Sequence, residues 1–184
     1  MFTPRNTVAA FLCLALGATA SYAANPDVGG APMFTDKNII ENAVNSADHT
    51  TLVAAVKAAG LVDALMGEGP FTVFAPVNDA FATLPAGTVE TLLKPENKDQ
   101  LTKILTAHVV AGDISAQDIK AQAAGSSDGF VHLETLSGDA LSAQVRGNNV
   151  FVFDENGNAA KITIADVDQS NGVIHVVNKV LLPK

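Results

Sequence analysis

The strongest constraint on the fold is a change of residue pattern near residue 130. Before this point, apolar residues recur mostly at helical spacing. After it, short runs rich in β-branched and aromatic residues alternate with Gly, Asn and Asp turns. The strand-like runs are residues 130–136, 141–145, 150–153, 160–165 and 173–182. Short antiparallel strands that follow a series of helices indicate an α+β domain, with the helices packed at one end or edge of a twisted sheet or sandwich.

Start and stop signals divide the first part of the chain into helices. Asp36 is predicted to cap the first helix, and Gly60 supplies the left-handed residue that ends the next one. Ser115 and Asp118 have the spacing of a capping box, which begins a later helix. A short run of β-favouring residues, 71–74, interrupts the helices and predicts one early strand.

The last strand-like run has an unusual distribution of apolar residues. Because side chains alternate between the two faces of a strand, Val173, Val177 and Leu181 share one face, and Ile174 and Val176 share the other. Both faces are largely apolar. The run is therefore predicted to be a central strand covered on two sides.

The N-terminus has the pattern of a secretory signal peptide, predicted to span residues 1–23. Arg5 gives a basic start, residues 8–20 form an apolar run too short to span a bilayer, and small residues follow. Cleavage is expected after Ala23, with Ala24 as the alternative. The pattern predicts export, either to the periplasm or to the outside of the cell.

The mature chain is expected to be one domain without disulfide bonds. Cys13, the only cysteine, lies inside the segment to be removed. Residues 24–35 are rich in Pro and Gly and are predicted to be a flexible leader. Residues 36–184 are long enough for one domain whose core supplies its stability.

The charge balance narrows the classes of partner. The chain has 11 basic and 19 acidic residues and a formal net charge of −8, which becomes −9 once Arg5 is lost. This excess of negative charge argues against nucleic acid or anionic lipid as a partner. No second long apolar run follows the signal peptide, so no membrane span is predicted.

A serine hydrolase site is the strongest catalytic alternative. Residues 125–129 match the Gly-x-Ser-x-Gly pattern, and Asp166 or Asp168 followed by His175 completes one known triad order. That mechanism needs the serine on a turn from a strand into a helix, whereas here a helix precedes it and a strand follows. The segment is interpreted as a connector, and no catalytic residue is predicted.

Metal and cofactor sites are not indicated either. No pair of histidines has ligand spacing; the histidines are His49, His108, His132 and His175. Residues 154–158 resemble the start of a calcium loop, but Ala159 and Ala165 stand where Gly and Glu are needed. The segment is predicted to be a hairpin turn.

Three segments in order resemble the signatures of the fasciclin (FAS1) domain: residues 71–81 (FTVFAPVNDAF), 105–112 (LTAHVVAG) and 171–183 (NGVIHVVNKVLLP). The resemblance covers residues 38–183 and is greatest to stand-alone, secreted bacterial versions. It implies a β-sandwich-like wedge of short strands with a cluster of helices. It also implies a role in adhesion and extracellular binding rather than catalysis.

The resemblance implies two kinds of motif residue. Residues expected to build the fold, with Asn78 as a helix cap, are Phe71, Phe74, Asn78, Phe81, Asn171, Gly172 and His175. Four others match segments implicated in receptor or integrin binding in animal relatives: His108, Val109, Asp166 and Val167. Ala107 replaces the tyrosine that precedes the histidine in those relatives.

The expected partner is a cell-surface or matrix protein or glycan. The alternative is a carrier of a small apolar ligand such as a carotenoid, which some FAS1 relatives bind. The composition, 48% hydrophobic with nine Phe, permits an apolar groove. A single domain binds one partner, and bridging two surfaces needs a second site or self-association. The oligomeric state is left open.

Overall fold

The computed structural model describes residues 25–184, and the predicted signal peptide lies outside them. The helices are α1 Ile39–Ala43, α2 Thr50–Ala59, α3 Val62–Leu65, α4 Asn78–Ala82, α5 Thr88–Leu92, α6 Lys98–Thr106 and α7 Ala116–Gly125, with 3-10 turns at Ala47–His49 and Pro95–Asn97. The strands are β1 Phe71–Pro76, β2 Val109–Ala111, β3 Phe130–Glu134, β4 Ala140–Arg146, β5 Asn149–Phe153, β6 Ala159–Gln169 and β7 Gly172–Val177. The α+β class is confirmed.

The strands form one seven-stranded sheet in the order β2-β1-β7-β6-β5-β4-β3. Among the strands of residues 25–184, β1 and β7 pair in parallel, and the other neighbouring strands pair antiparallel. A bridge between Val110 and Thr135, with Leu136 N–H donating to the Val109 oxygen at 2.8 Å, links the two ends of the sheet. The sheet is therefore curved into a wedge that is nearly a closed barrel.

Strand β7 lies at the centre of the sheet, between β1 and β6, as its two apolar faces predict. A close approach at its first residue explains Gly172. A Cβ atom there would lie 1.9 Å from the Phe71 carbonyl oxygen. Only glycine permits β1 and β7 to pair at this spacing.

The domain has two hydrophobic cores on the two sides of this central strand. In the first core, α1, α2 and α6 pack against Ile174 and Val176 of β7. In the second, α7 packs against β3–β6. Ile119 of α7 and Val152 of β5 are fully buried there. The helices thus cover one end of the sheet, and α7 covers one face of its antiparallel half.

Two predicted helix caps differ from the structure. Asn38, not Asp36, caps α1, because its side chain accepts from Glu41 N–H and the Glu41 carboxylate accepts from Asn38 N–H. Asn78 does not cap its own helix, α4, whose N-cap is Val77. Its side chain instead serves α2, as described below. The Ser115 capping box and the left-handed Gly60 are confirmed.

The bounds of the last strand also differ. Residues 173–182 were expected to form one strand, but β7 ends at Val177. Beyond it Asn178 N–H still donates to the Lys161 oxygen of β6 at 3.2 Å, and the backbone that follows bonds to side chains: Leu181 N–H donates to His108 Nε2 and Leu182 N–H to the Asp154 carboxylate.

The described part of the predicted leader lies against the domain rather than extending from it. Val28 and Met33 are buried in the first core, and the Asn25 amide bonds to the backbone of Asp168. These contacts are long-range, so the Pro and Gly content of the segment gave no sign of them. Within residues 25–184, no helix is both long and apolar enough to cross a bilayer.

Candidate functional site

His108 joins the end of α6 to the C-terminal segment from inside the domain. Its Nδ1 donates to the Ile104 oxygen at 2.8 Å, and its Nε2 accepts from Leu181 N–H at 2.9 Å. These partners fix the neutral form with the proton on Nδ1. Burial lowers the pKa of His108 to about 4, although the Ile104 oxygen and Asp154 oppose the shift.

His175 makes a similar pair of bonds with the opposite tautomer. Its Nε2 donates to the Ile114 oxygen at 2.8 Å, and its Nδ1 accepts from Asp166 N–H at 3.2 Å. The ring stacks on Phe74 with centroids 5.7 Å apart. Burial lowers the pKa of His175, against the opposing effect of the Ile114 oxygen and nearby carboxylates. The predicted structural role of this residue fits these contacts.

Asp166 and Val167 lie at an irregularity in β6, where the pairing with β7 shifts register. Asp166 has a positive φ of 55° and is exposed, while Val167 is fully buried. The Asp166 carboxylate accepts from Ala116 N–H at 2.6 Å, in the first turn of α7. This carboxylate therefore has a partner inside the domain. Burial and the carboxylates of Asp113 and Asp166 raise the pKa of neighbouring Asp168.

Two asparagines connect segments that are distant in sequence. Asn171 is buried, and its side chain accepts from Ile39 N–H and donates to the oxygens of Leu65 and Gly67. It thereby joins α1 and the end of α3 to the β6–β7 turn.

Asn78 holds the start of α2 in a comparable way. Its amide oxygen accepts from Thr51 N–H at 3.0 Å and from the Thr50 hydroxyl at 3.2 Å, and its Nδ2 donates to the Ala47 oxygen at 2.8 Å. Asn78 thus caps α2 from outside that helix.

A cavity of about 130 Å³ lies within the first core. Apolar side chains from the helices and the sheet, such as Ile40, Val56 and Ile174, form most of its wall. Ser46, His49, Thr106 and His108 also line it. The Thr106 hydroxyl donates to the Thr102 oxygen, and both ring nitrogens of His108 are bonded as described above. His49 differs from Thr106 and His108 in its hydrogen bonds.

His49 is 3% exposed and directly precedes α2. Its Nδ1 lies 2.9 Å from the Ser46 hydroxyl. In residues 25–184, its Nε2 is the buried side-chain nitrogen or oxygen that has no partner at good hydrogen-bond geometry. Burial lowers the pKa of His49, opposed by a hydrogen bond of poorer geometry with the Ala75 backbone and by the charge of Asp48. Nothing in the sequence distinguished this histidine from the others.

A second candidate surface is the outer face of β3–β6, opposite α7, which we call the aromatic face. Phe130, Phe151 and Phe153 lie there, each partly exposed, and Phe130 meets Phe153 edge to face at 5.8 Å. The guanidinium of Arg146 lies 5.6 Å from the Phe151 ring and 5.3 Å from the Phe153 ring. Its Nε donates to the Gln144 amide oxygen at 2.7 Å.

Strand register places these groups side by side. Gln144 is opposite both Phe130 and Phe151, in the strands that flank it, and Ser142 is opposite Phe153. The alternation in residues 149–153 predicts a half-exposed strand with two phenylalanines on one face. The sequence alone does not show which other side chains share that face.

The model of the Fasciclin domain family matches residues 47–183. The chain belongs to this family. Its similarity to Protein sll1483 of Synechocystis sp. is 54% identity over 145 residues, covering 79% of this chain and 73% of that protein. Transforming growth factor-beta-induced protein ig-h3 of Sus scrofa is 39% identical over 132 residues, covering 72% of this chain and 17% of that longer protein.

The fold of this fasciclin domain also matches a solved structure. That structure is a FAS1 domain pair from the insect cell adhesion molecule Fasciclin I, with a TM-score of 0.69 and 19% identity. The match covers 79% of this chain and 51% of the pair. The family is one of generally non-catalytic modules, some of which function in cell adhesion.

The catalytic alternative finds no support in the fasciclin domain's connections. Residues 125–129 join the end of α7 to β3, the helix-to-strand order that the sequence predicts. The serine at the centre of the pattern is Ser127, and the neighbouring Ser126 hydroxyl donates to the Asp128 carboxylate. The predicted turn at 154–158 is also present, and the Asp154 carboxylate accepts from backbone N–H groups of that turn. Residues 25–184 contain no cluster of three or more His, Cys, Asp or Glu side chains suited to a metal.

The four residues predicted to contact a partner do not form one surface of the fasciclin domain. His108, Val109 and Val167 are at most 4% exposed, and Asp166 alone of the four reaches solvent. A partner on the folded surface would not touch the three buried side chains. Their role in binding stays a prediction, one that would require this region to open.

Proposed function

We propose that this fasciclin domain is an exported, non-catalytic module that binds a component of the cell surface or matrix through its aromatic face. The observation that carries the proposal is the cluster of Phe130, Phe151 and Phe153 with Arg146 on an exposed sheet. Partly exposed rings supply apolar contact area, and a guanidinium beside them supplies hydrogen-bond donors. Phenylalanine and arginine are both enriched in known interfaces.

A surface glycan fits this face better than a second protein. The polar side chains Ser142, Gln144 and Arg146 of β4 lie between rings of β3 and β5, so hydrogen-bonding groups alternate with apolar ones across the strands. A sugar presents the same alternation of C–H faces and hydroxyl groups. The net charge of the mature chain, −9, also favours a neutral partner over an acidic one.

The direct test measures binding of the mature protein to immobilised matrix polysaccharide. The double variant Phe151→Ala/Phe153→Ala should bind at least about tenfold more weakly, because rings at the centre of an interface supply much of its energy. Met66→Ala is the matched control, since it removes another exposed apolar side chain, 45% exposed and outside this face. Equal loss in both variants, or none in the double variant, would contradict the proposal.

Export is part of the proposal and rests on the pattern of residues 1–23. Expression of the full chain in a bacterial host should give a mature protein outside the cytoplasm whose N-terminus is Ala24. N-terminal sequencing checks this. An uncleaved chain that stays in the cytoplasm would exclude the role.

Carrying a small apolar ligand is the second candidate function, and the cavity in the first core favours it. A volume of about 130 Å³ is close to that of an engineered cavity of about 150 Å³ that binds benzene. Sites for drug-sized ligands are larger, about 300–1,000 Å³. The cavity therefore suits a one-ring molecule, and a carotenoid would need a larger space than this volume. Absorption spectra of protein purified from its native host separate these two ligands.

A further inference from the structure

We infer that the cavity in the first core binds a one-ring hydrocarbon, a molecule with no hydrogen-bonding group, and that this ligand enters when the N-terminal strap lifts. The strap is residues 25–35, which lie against the first core. This inference rests on the second candidate function and names its ligand class and entry route. It is independent of the aromatic face.

The first step is the chemistry of the cavity wall, which is almost wholly apolar. Four polar side chains line it, and each already has a partner within the domain. Ser46 pairs with His49 Nδ1, and His49 Nε2 has a hydrogen bond of poorer geometry with the Ala75 backbone. Thr106 bonds within its own helix, and His108 bonds through both ring nitrogens. Within the described residues, no polar side chain of this wall is therefore left to bond a ligand.

The second step is the cost of burying a polar group in such a wall. A hydroxyl, amine or carboxylate placed in this cavity would lose its hydrogen bonds to water and gain none in return. A buried water typically needs two to four polar partners, so water competes poorly for the same space. The volume, about 130 Å³, allows one ring. The wall therefore favours a one-ring hydrocarbon.

The third step is the part of the wall that can move. Val28 and Met33 of the strap are buried and line the cavity. The strap belongs to no helix and to no strand of the sheet. A segment with few backbone hydrogen bonds opens at a lower cost than the helices and strands that form most of the wall.

Side-chain hydrogen bonds hold the strap at both ends. At its start, the Asn25 amide bonds to the N–H and the oxygen of Asp168. At its end, the Asn42 amide bonds to the N–H and the oxygen of Phe34. Asn25 is partly exposed, whereas Asn42 is fully buried. The start of the strap is therefore the end expected to lift, with Phe34 as the hinge.

Between these ends, Gly29 approaches the turn that precedes α2. A Cβ atom at Gly29 would overlap the Ser46 hydroxyl and lie 2.7 Å from the Asp48 nitrogen. Gly30 has a similar positive φ, 73° against 60°, but a Cβ atom there would meet nothing within 4 Å. Gly29→Ala should therefore push the strap off the turn, and Gly30→Ala is its matched control.

The experiment titrates the mature protein with toluene and with phenol, which are nearly equal in shape and differ in the hydroxyl. Amide shifts report binding. We expect toluene to bind at least about fivefold more tightly than phenol, because the phenol hydroxyl would be buried without a partner. The shifts caused by toluene should include Val28 and Met33, since both line the cavity.

The entry route is tested through the rate at which toluene associates, measured by NMR exchange. Gly29→Ala should bind toluene at least about fivefold faster than Gly30→Ala, because overpacking one contact favours the open strap by that ratio or more. Asn25→Ala removes the bonds to Asp168 at the surface and should also accelerate binding. Leu136→Ala tests a competing route, since Leu136 lines the cavity and is 48% exposed. Thermal unfolding shows whether each variant is folded.

Each outcome decides one part of the inference. Absence of toluene binding at millimolar concentration would overturn the carrier function and this inference together. Equal binding of toluene and phenol would overturn the ligand class. Unchanged rates in Gly29→Ala and Asn25→Ala, with or without acceleration in Leu136→Ala, would overturn the strap as the entry route and leave the cavity as a site. A preference for toluene, with faster binding in Gly29→Ala and Asn25→Ala, supports the inference.

Discussion

Two regions of the molecule, the end of α6 and the turn before α2, each bury a histidine beside the same cavity, and the two histidines are bonded differently. At the end of α6, His108 bonds the backbone of Ile104 and Leu181 through both ring nitrogens. Before α2, His49 pairs with the Ser46 hydroxyl through Nδ1, and its Nε2 has no partner at good hydrogen-bond geometry. Burial of a histidine is therefore no sign of function by itself, and the number of its hydrogen bonds indicates how much it stabilises the fold.

The largest expected effect comes from removing a fully bonded histidine. His108→Leu leaves the Ile104 oxygen and the Leu181 N–H buried without partners, and it should lower the free energy of unfolding by about 3–5 kcal/mol. His49→Phe leaves one buried group, the Ser46 hydroxyl, without its partner, so its cost should be about 1–2 kcal/mol. Urea denaturation measures both. Similar losses in the two variants would contradict the difference in stabilisation that we expect between the two histidines.

Lowering the pH should also show how much a buried histidine contributes to the free energy of unfolding. A histidine whose folded pKa is depressed stabilises the fold fully above its unfolded pKa of about 6.5, and this contribution is lost as pH falls through the folded value. For His108, with a pKa of about 4, the loss between pH 6.5 and pH 4 is about 3 kcal/mol.

The measurement is urea denaturation at a series of pH values. His175 and His49 have lowered pKa values and contribute in the same direction. In His108→Leu the dependence on pH over this range should be clearly shallower than in the wild type. An unchanged dependence would show that His108 is not the main titrating group.

The fold was largely predictable because local signals were consistent with it. The capping box at Ser115, the stop at Gly60 and the two apolar faces of β7 are properties of adjacent residues, and all three are confirmed. The FAS1 resemblance fixed the family, and Gly172 proved to be required by the close approach of β1.

The site was less predictable because its contacts are long-range. Asn78 has the sequence context of a cap for α4, yet its partners lie 27–31 residues earlier, at the start of α2. The burial of His108 and Val167, and the meeting of Phe130 with Phe153, depend on strand register and helix packing. The spacing of residues along the chain predicts neither the strand register nor the helix packing.

A smaller effect is expected at the turn that carries His49. Asn78 holds Ala47, Thr50 and Thr51, on both sides of that histidine. Asn78→Ala removes the cap of α2 and should cost about 1–2 kcal/mol. Hydrogen exchange should show the loss mainly in α2. Loosening concentrated in β3–β6 instead would mean that the two cores are not separate in stability.

The smallest effect is expected from filling the cavity. Ala43→Leu should raise the free energy of unfolding by about 0.5–1 kcal/mol, because cavity filling and a good helix former both stabilise. Thermal unfolding checks this. A destabilised variant would indicate that the wall around Ala43 cannot accept three more carbon atoms, and that the first core is as tightly packed as the second.

The central claim is that the family signatures build the fasciclin domain while its aromatic face binds the partner. Mapping amide shifts of the mature protein during titration with matrix oligosaccharides tests this most directly. We predict saturable shifts in β3–β5 around Phe130, Arg146 and Phe151, with little change at 105–112 and 166–172. Shifts confined to those two signature segments, with β3–β5 unaffected, would contradict the claim.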